Sequence, residues 1–154
     1  MQQANWHSSC SGNPGVILLV EDHDIYREVV RAALGKYLPH FDLVAAESVA
    51  AALPILHSRK IDVMVVDMTL PDGSAIDLLE QCGHFVQQGV KVIVLSSHSI
   101  SDMVPVLNRS DVHAYLSKEQ GLKALAEKIT AICSTEAPEL PALKEQEPAL
   151  TQIQ

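Results

Sequence analysis

Short apolar runs divide most of the chain into regular segments. Each run holds four or five residues, is rich in valine, isoleucine and leucine, and is bounded by polar or turn-forming residues. Runs of this length and composition are typical of strands buried on both faces of a parallel sheet. The five predicted strands are Val16–Val20, Leu43–Ala46, Val63–Val66, Lys91–Leu95 and Val112–Leu116.

Apolar residues recur at helical spacing after each predicted strand. Asp24 is a candidate N-cap for the first helix, whereas Pro54 and Pro105 lie inside two others and are expected to kink or shorten them. Strands that alternate with helices predict an α/β fold with a doubly wound, five-stranded parallel sheet, (βα)5, and right-handed crossovers. The five predicted helices are 25–37, Ser48–His57, Ser74–Val86, Ser101–Asn108 and Glu119 or Gln120 to Cys133.

The composition predicts one domain with irregular ends. Because 47% of the 154 residues are hydrophobic, the chain can bury a core without disulfides. A net charge of −8 argues against a surface that binds nucleic acid or an anionic membrane. Three cysteines without a CxxC pair, and no apolar run of roughly 18 residues, predict a cytoplasmic protein without a membrane segment. Residues 1–14 are predicted to be flexible, 15–133 to form the domain, and 134–154 to be a Pro- and Glu-rich linker.

Four of the five predicted strands end in residues suited to metal and phosphate chemistry. These are Glu21 with Asp22, Asp67, Ser96 and Lys118. Each residue alone is more often a loop former or a solvated charge, but parallel strands bring all of these ends to one edge of the sheet. Carboxylates that converge there raise each other's pKa unless a cation is present, and oxygen ligands suit Mg²⁺. The pattern therefore predicts a magnesium site beside a lysine.

The order of these motifs resembles the receiver domain of two-component response regulators. The acidic pair is followed by VVDMTLPDG, VLSS and YLSK, in the family's order and at roughly its spacing, so that the resemblance covers about residues 15–133. It implies a flavodoxin-like strand order, 2-1-3-4-5, and a signalling domain rather than a turnover enzyme. The implied partner is a sensor histidine kinase or phosphotransfer protein, and a phosphorylation-dependent homodimer is compatible with it.

The resemblance also implies a role for each matching residue. Asp67 is the implied phosphoacceptor. Mg²⁺ is implied to be held by Asp22, by Asp67, by the backbone carbonyl of Thr69 and, through water, by Glu21.

Three further residues are implied to respond to the phosphoryl group. Lys118 pairs with it, Ser96 moves to donate a hydrogen bond to one of its oxygens, and the rotamer of Tyr115 reports activation. The expected switch surface comprises the helix from about Ser101, the strand with Tyr115 and the last helix.

The sequence departs from the family pattern at four places. Glu21 stands where many receivers have aspartate, which keeps the charge but lengthens the side chain. Ala75 replaces a frequent glycine, which puts a positive φ there in doubt. Glu119 follows Lys118 where proline is frequent, so a cis bond there is in doubt. His98 is either a solvated loop residue or a participant in dephosphorylation or pH response.

Two other functions remain open at the level of sequence. A hydrolase of the haloacid dehalogenase type also uses a strand-end aspartate with Mg²⁺, serine or threonine, and lysine. Such enzymes place the nucleophile on the first strand and an acid two residues later, where this chain has Thr69. A pseudo-receiver that binds protein without phosphorylation is the third possibility, although the presence of all five site residues argues against it.

The C-terminal segment, Leu150–Gln154, resembles the start of the helix-turn-helix domain of NarL/LuxR-type regulators. The Leu-Thr pair follows a linker, as in that subfamily, and an ordinary disordered tail is the alternative. The expectation is a C-terminal output domain that lies outside this chain and contacts DNA, whereas the chain itself has no DNA affinity.

Overall fold

The computed structural model describes residues 15–97 and 109–134, which form a five-stranded parallel sheet between two layers of helices. The strand order is β2-β1-β3-β4-β5, with every neighbouring pair parallel, so the predicted doubly wound fold and its 2-1-3-4-5 order are confirmed. The strands are β1 (Val16–Val20), β2 (Asp42–Ala46), β3 (Val63–Asp67), β4 (Lys91–Ser96) and β5 (Ala114–Ser117).

Side chains along the central strands point alternately to the two faces of the sheet and form two separate cores. Ile17 and Leu19 point to one face of the sheet and Leu18 and Val20 to the other, and all four are fully buried. This explains why the strands appear as unbroken apolar runs, because neither face is exposed to water. The helices that cover the faces are α1 (Asp24–Tyr37), α2 (Val49–Ser58), α3 (Ala75–Gln87) and α4 (Leu122–Ser134).

Helix α1 and helix α4 cover one face, and α2 and α3 cover the other. Helix α1 begins at Asp24, and its N-cap is His23 rather than the predicted Asp24, because the His23 ring accepts a hydrogen bond from the Tyr26 amide. Helix α2 runs through Pro54 and ends four residues later. Helix α3 contains one residue with non-helical backbone angles, Cys82.

The region around the last strand differs from the predicted boundaries. Strand β5 begins at Ala114 rather than Val112, and the predicted start of the last helix is a 3-10 turn, Lys118–Gln120. Gly121, with φ +92°, separates this turn from α4. Within the described residues every peptide bond is trans, including Lys118–Glu119. The predicted helix Ser101–Asn108, Pro105 and His98 lie outside the described residues.

Helix α3 starts at a hydrogen-bonded cap that also fixes the loop after β3. The Ser74 side chain accepts from the Asp77 amide and the Asp77 carboxylate accepts from the Ser74 amide at 2.9 Å. Gly73, the residue directly before Ser74, has φ +153°, and a side chain there would meet the Asp77 carboxylate. Ala75 is the first residue of the helix, so the positive φ questioned at this position falls on Gly73 instead.

We expect Ser74→Ala to lower the free energy of unfolding by about 1 kcal/mol, because the substitution removes one half of the capping box. Urea unfolding should show a lower midpoint with an unchanged slope. Ser58→Ala, at the exposed end of α2, is the matched control and should stay within about 0.5 kcal/mol of wild type. Equal midpoints for Ser74→Ala and wild type would contradict the cap.

Candidate functional site

Three carboxylates meet at the carboxyl edge of the sheet, as the strand-end pattern predicts. Glu21 and Asp22 follow β1, and Asp67 is the last residue of the adjacent β3. One carboxylate oxygen from each of the three lies within 4.8 Å of the other two. Glu21 is completely buried, Asp67 is 8% exposed and Asp22 faces solvent.

Lys118 brings the compensating positive charge. Its Nζ lies 2.8 Å from Oε1 of Glu21 and 3.2 Å from Oδ2 of Asp67, and it donates a hydrogen bond to Asp67. The short contact to Glu21 is an ion pair, and within the described part of the chain no other group donates a hydrogen bond to this buried oxygen. Oε2 of Glu21 accepts from the His23 amide at 3.0 Å.

The donor set fits a hard divalent cation. The pocket contains three carboxylates and one ammonium, which leaves an excess of negative charge in a partly buried site. The fully buried Oε1 of Glu21, which Lys118 contacts as an ion pair, has lone pairs left that a metal ion or its bound water could satisfy. Glu21, Asp22 and Asp67 are therefore the residues that could hold such an ion.

Burial and charge shift the pKa values of the groups in the pocket. Burial, followed by the charge of Glu21, raises the pKa of Asp67 to about 6, although Lys118 and a hydrogen bond from the Thr69 amide oppose the shift. Burial alone would lower the pKa of Lys118, but the contacts with Glu21 and Asp67 outweigh it and the pKa is raised. The lysine therefore favours the ionised, nucleophilic form of Asp67 against the effects of burial and of Glu21.

The loop after Asp67 is held by its own hydrogen bonds. Thr69 and Leu70 pair antiparallel with Gly73 and Ser74 in a two-residue ribbon. The exposed carboxylate of Asp72 accepts from the first two amides of α2, at 2.9 and 3.0 Å. The role of the Thr69 carbonyl as a metal ligand stays a prediction, since the recorded contact of Thr69 with Asp67 is made by its amide.

The structure places the remaining predicted residues at the same end of the molecule. Ser96 is the last residue of β4, is 1% exposed, and directly follows Leu95, which pairs with Asp67 in the sheet. Tyr115 is half-buried on edge strand β5, three residues before Lys118. Their switching roles stay predictions.

The sequence pattern did not indicate two residues of α1 that contact the site. The Tyr26 ring lies 4.4 Å from Nζ of Lys118. Arg27 donates to the Glu21 carbonyl at 2.9 Å and to the Asp24 carboxylate at 2.7 Å, which anchors the acidic loop to the helix. Only their position within the first turn of the helix after the acidic pair could have suggested them.

Comparisons with known proteins identify the family. The response regulator receiver domain matches residues 17–130. The KDP operon transcriptional regulatory protein KdpE of Escherichia coli is 33% identical over 115 residues, which are 73% of this chain and 48% of KdpE. The chemotaxis protein CheY of Pseudomonas aeruginosa is 28% identical over 122 residues, which are 75% of this chain and 94% of CheY.

Solved structures give the same fold. A LuxR-family two-component response regulator from Aurantimonas superposes with a TM-score of 0.70 at 24% identity, covering 79% of this chain and 86% of that one. Within the described part of the chain, no helix combines the length and the apolar character that a membrane crossing requires.

The family model, the doubly wound sheet and the pocket of three acids and a lysine agree with one another. The chain belongs to the response regulator receiver family of two-component signalling.

Proposed function

We propose that Asp67 accepts a phosphoryl group from a phosphohistidine on a sensor histidine kinase or phosphotransfer protein. The observation that carries the proposal is the position of Asp67 in an acidic cluster, with its Oδ2 only 3.2 Å from the ammonium of Lys118. A carboxylate held there can approach an anionic phosphoryl group because the lysine offsets part of the repulsion.

In the proposed transfer, an oxygen of Asp67 forms a bond to phosphorus as the P–N bond of the donor breaks. The electron pair of that bond stays on the imidazole, which takes up a proton. Lys118 donates to a phosphoryl oxygen. Bound Mg²⁺, held by Asp22, Asp67, the Thr69 carbonyl and, through water, Glu21, would supply further positive charge. The acyl phosphate is then slowly hydrolysed, so the domain is a self-dephosphorylating switch rather than a turnover enzyme.

The phosphoryl group changes the charge at Asp67 from −1 to about −2 and adds acceptor oxygens. Ser96 is buried at the end of the neighbouring strand, so a new acceptor beside it favours a hydrogen bond from its hydroxyl. Movement of Ser96 and Lys118 would reach Tyr115 through β4 and β5, which are paired from Ile93–Ala114 to Ser96–Ser117. This supports a switch surface on the β5 side of the sheet.

We extend the proposal to the whole protein as a regulator of transcription in the cytoplasm. KdpE is a transcriptional regulatory protein, and this chain spans about half of its length. The resemblance of Leu150–Gln154 to the start of a NarL/LuxR-type helix-turn-helix domain supports the proposal of an output domain that contacts DNA, with a phosphorylation-dependent homodimer as the proposed active form. The acidic chain itself, at −8, is not suited to hold DNA.

The test is the intact mass after incubation with acetyl phosphate and Mg²⁺. We expect one added phosphoryl group, roughly 80 Da as HPO₃, in wild type and none in Asp67→Asn, because an amide is a poor nucleophile. Asp42→Asn, an exposed carboxylate at the start of β2, is the matched control and should be modified like wild type. An unmodified wild-type chain would defeat the proposal and favour the phosphorylation-independent alternative. Many turnovers of an aryl phosphate would instead favour the hydrolase.

A further inference from the structure

In the described part of the chain, Tyr26 is the aromatic residue whose ring makes a cation–π contact with Lys118. The ring lies on α1, 4.4 Å from Nζ, on a different layer of the fold from the strands that carry the acids. Hydrogen bonds fix the backbone around Tyr26. The Tyr26 amide donates to the His23 ring, and the side chain of the next residue, Arg27, donates to the Glu21 carbonyl. The backbone that carries the ring is therefore held by hydrogen bonds that do not involve Lys118.

Among the described residues, the lysine ammonium thus has three neighbours, two carboxylates and one aromatic ring. Glu21 lies at 2.8 Å, Asp67 at 3.2 Å, and the Tyr26 ring covers a further side of the same nitrogen. An ammonium has three donor hydrogens, so the two carboxylates do not use its whole surface. The face of an aromatic ring attracts a cation, most strongly where water is excluded, and the Lys118 side chain is only 16% exposed.

We propose that Tyr26 is a positioning residue for phosphoryl transfer, whose ring holds the Lys118 ammonium at the phosphoacceptor Asp67. The inference rests on the proposed function of Asp67. Binding of a metal ion would offset the negative charge of Glu21 and Asp67, and phosphorylation would replace the carboxylate of Asp67, whereas the ring keeps its attraction in both cases. The ring also adds no negative charge to a pocket that already holds three acids, and it does not compete for the metal. A leucine at this position would fill the space without holding the cation.

The first test measures the position of Lys118 in the metal-free protein, where no phosphoryl transfer is involved. The proton resonances of the Lys118 ε-methylene should be shifted upfield by the ring in wild type and in Tyr26→Phe, and should move toward ordinary lysine values in Tyr26→Leu. Tyr37→Leu, which alters a tyrosine at the other end of α1, is the matched control and should leave them unchanged. Identical Lys118 resonances in wild type and Tyr26→Leu would overturn the proposal, whether or not Asp67 is phosphorylated.

The second test measures the rate of modification by acetyl phosphate at saturating Mg²⁺. Tyr26→Leu should lower the rate by about 3- to 30-fold, the range of a cation–π contact from exposed to desolvated sites. Tyr26→Phe and Tyr37→Leu should stay within about twofold of wild type.

A double-mutant cycle separates action through Lys118 from a general structural effect. In a Lys118→Ala background, Tyr26→Leu should change the residual rate by less than about twofold, because the cation that the ring holds is absent. An equal loss in both backgrounds, or a loss in Tyr26→Phe as large as in Tyr26→Leu, would overturn the positioning role. Absence of any modification in wild type would instead count against the proposed function of Asp67.

Discussion

Replacement of Lys118 by methionine is expected to destabilise the metal-free protein by about 3 to 5 kcal/mol near pH 8, the usual cost of removing one partner from a buried ion pair. Methionine keeps most of the side-chain volume but leaves Glu21 and Asp67, which are 0% and 8% exposed, without their cation. The measurement is urea unfolding in the presence of a chelator. Lys123→Met, at an exposed position on α4, is the matched control and should stay within about 0.5 kcal/mol.

Two conditions should reduce this loss. Near pH 5 it should be smaller than near pH 8, because Asp67, whose pKa is raised to about 6 even with the lysine present, is then largely protonated and no longer repels Glu21. Millimolar Mg²⁺ should restore part of the stability near pH 8, because a divalent cation that binds only the folded state stabilises it by mass action. A loss that is independent of both pH and Mg²⁺ would show that Lys118 contributes through packing alone.

The fold could be predicted from sequence because strands that are buried on both faces of a sheet have a recognisable pattern of apolar residues. Each central strand is an unbroken apolar run, and the polar residues that end it mark the carboxyl edge. Since parallel strands bring those ends together, the gathering of Glu21, Asp22, Asp67 and Lys118 followed from the order of elements alone.

The boundaries that could not be predicted depend on contacts between segments distant in sequence. Val112 continues the apolar run, but strand β5 starts later because the His113 ring, instead of a backbone carbonyl, accepts from the Val92 amide at 3.0 Å. The last helix starts later than predicted because Gly121 adopts φ +92°. Neither effect has a periodic signal in the sequence.

The contacts of individual side chains within the site could also not be predicted from the sequence. The strand pattern shows Glu21 and Asp22 only as adjacent acids after β1, whereas the structure buries the first and exposes the second, so that Glu21 contacts Lys118. The approach of Tyr26 to Lys118 depends on the packing of α1 beside the turn after β5, and two residues 92 positions apart share no local pattern.

Asp67→Asn is expected to raise the free energy of unfolding of the metal-free protein near pH 8 while it abolishes phosphorylation. In the folded chain burial, followed by the charge of Glu21, raises the pKa of Asp67 from 3.8 to about 6. Folding therefore favours the protonated acid. The contribution of Asp67 to stability is most favourable below the unfolded pKa and is lost as the pH rises from about 4 through about 6.

Above that window the ionised carboxylate costs up to about 3 kcal/mol, at 1.4 kcal/mol for each pKa unit, and the asparagine does not carry this cost. We therefore expect Asp67→Asn to gain about 1 to 3 kcal/mol near pH 8, and this gain should disappear near pH 4. Urea unfolding across that range, with Asp42→Asn as the exposed control, measures the difference. An equal or lower stability of Asp67→Asn near pH 8 would mean that Lys118 already compensates Asp67 fully. A pH-dependent gain would show instead that the pocket holds its nucleophile at the expense of stability, as a site prepared for a cation requires.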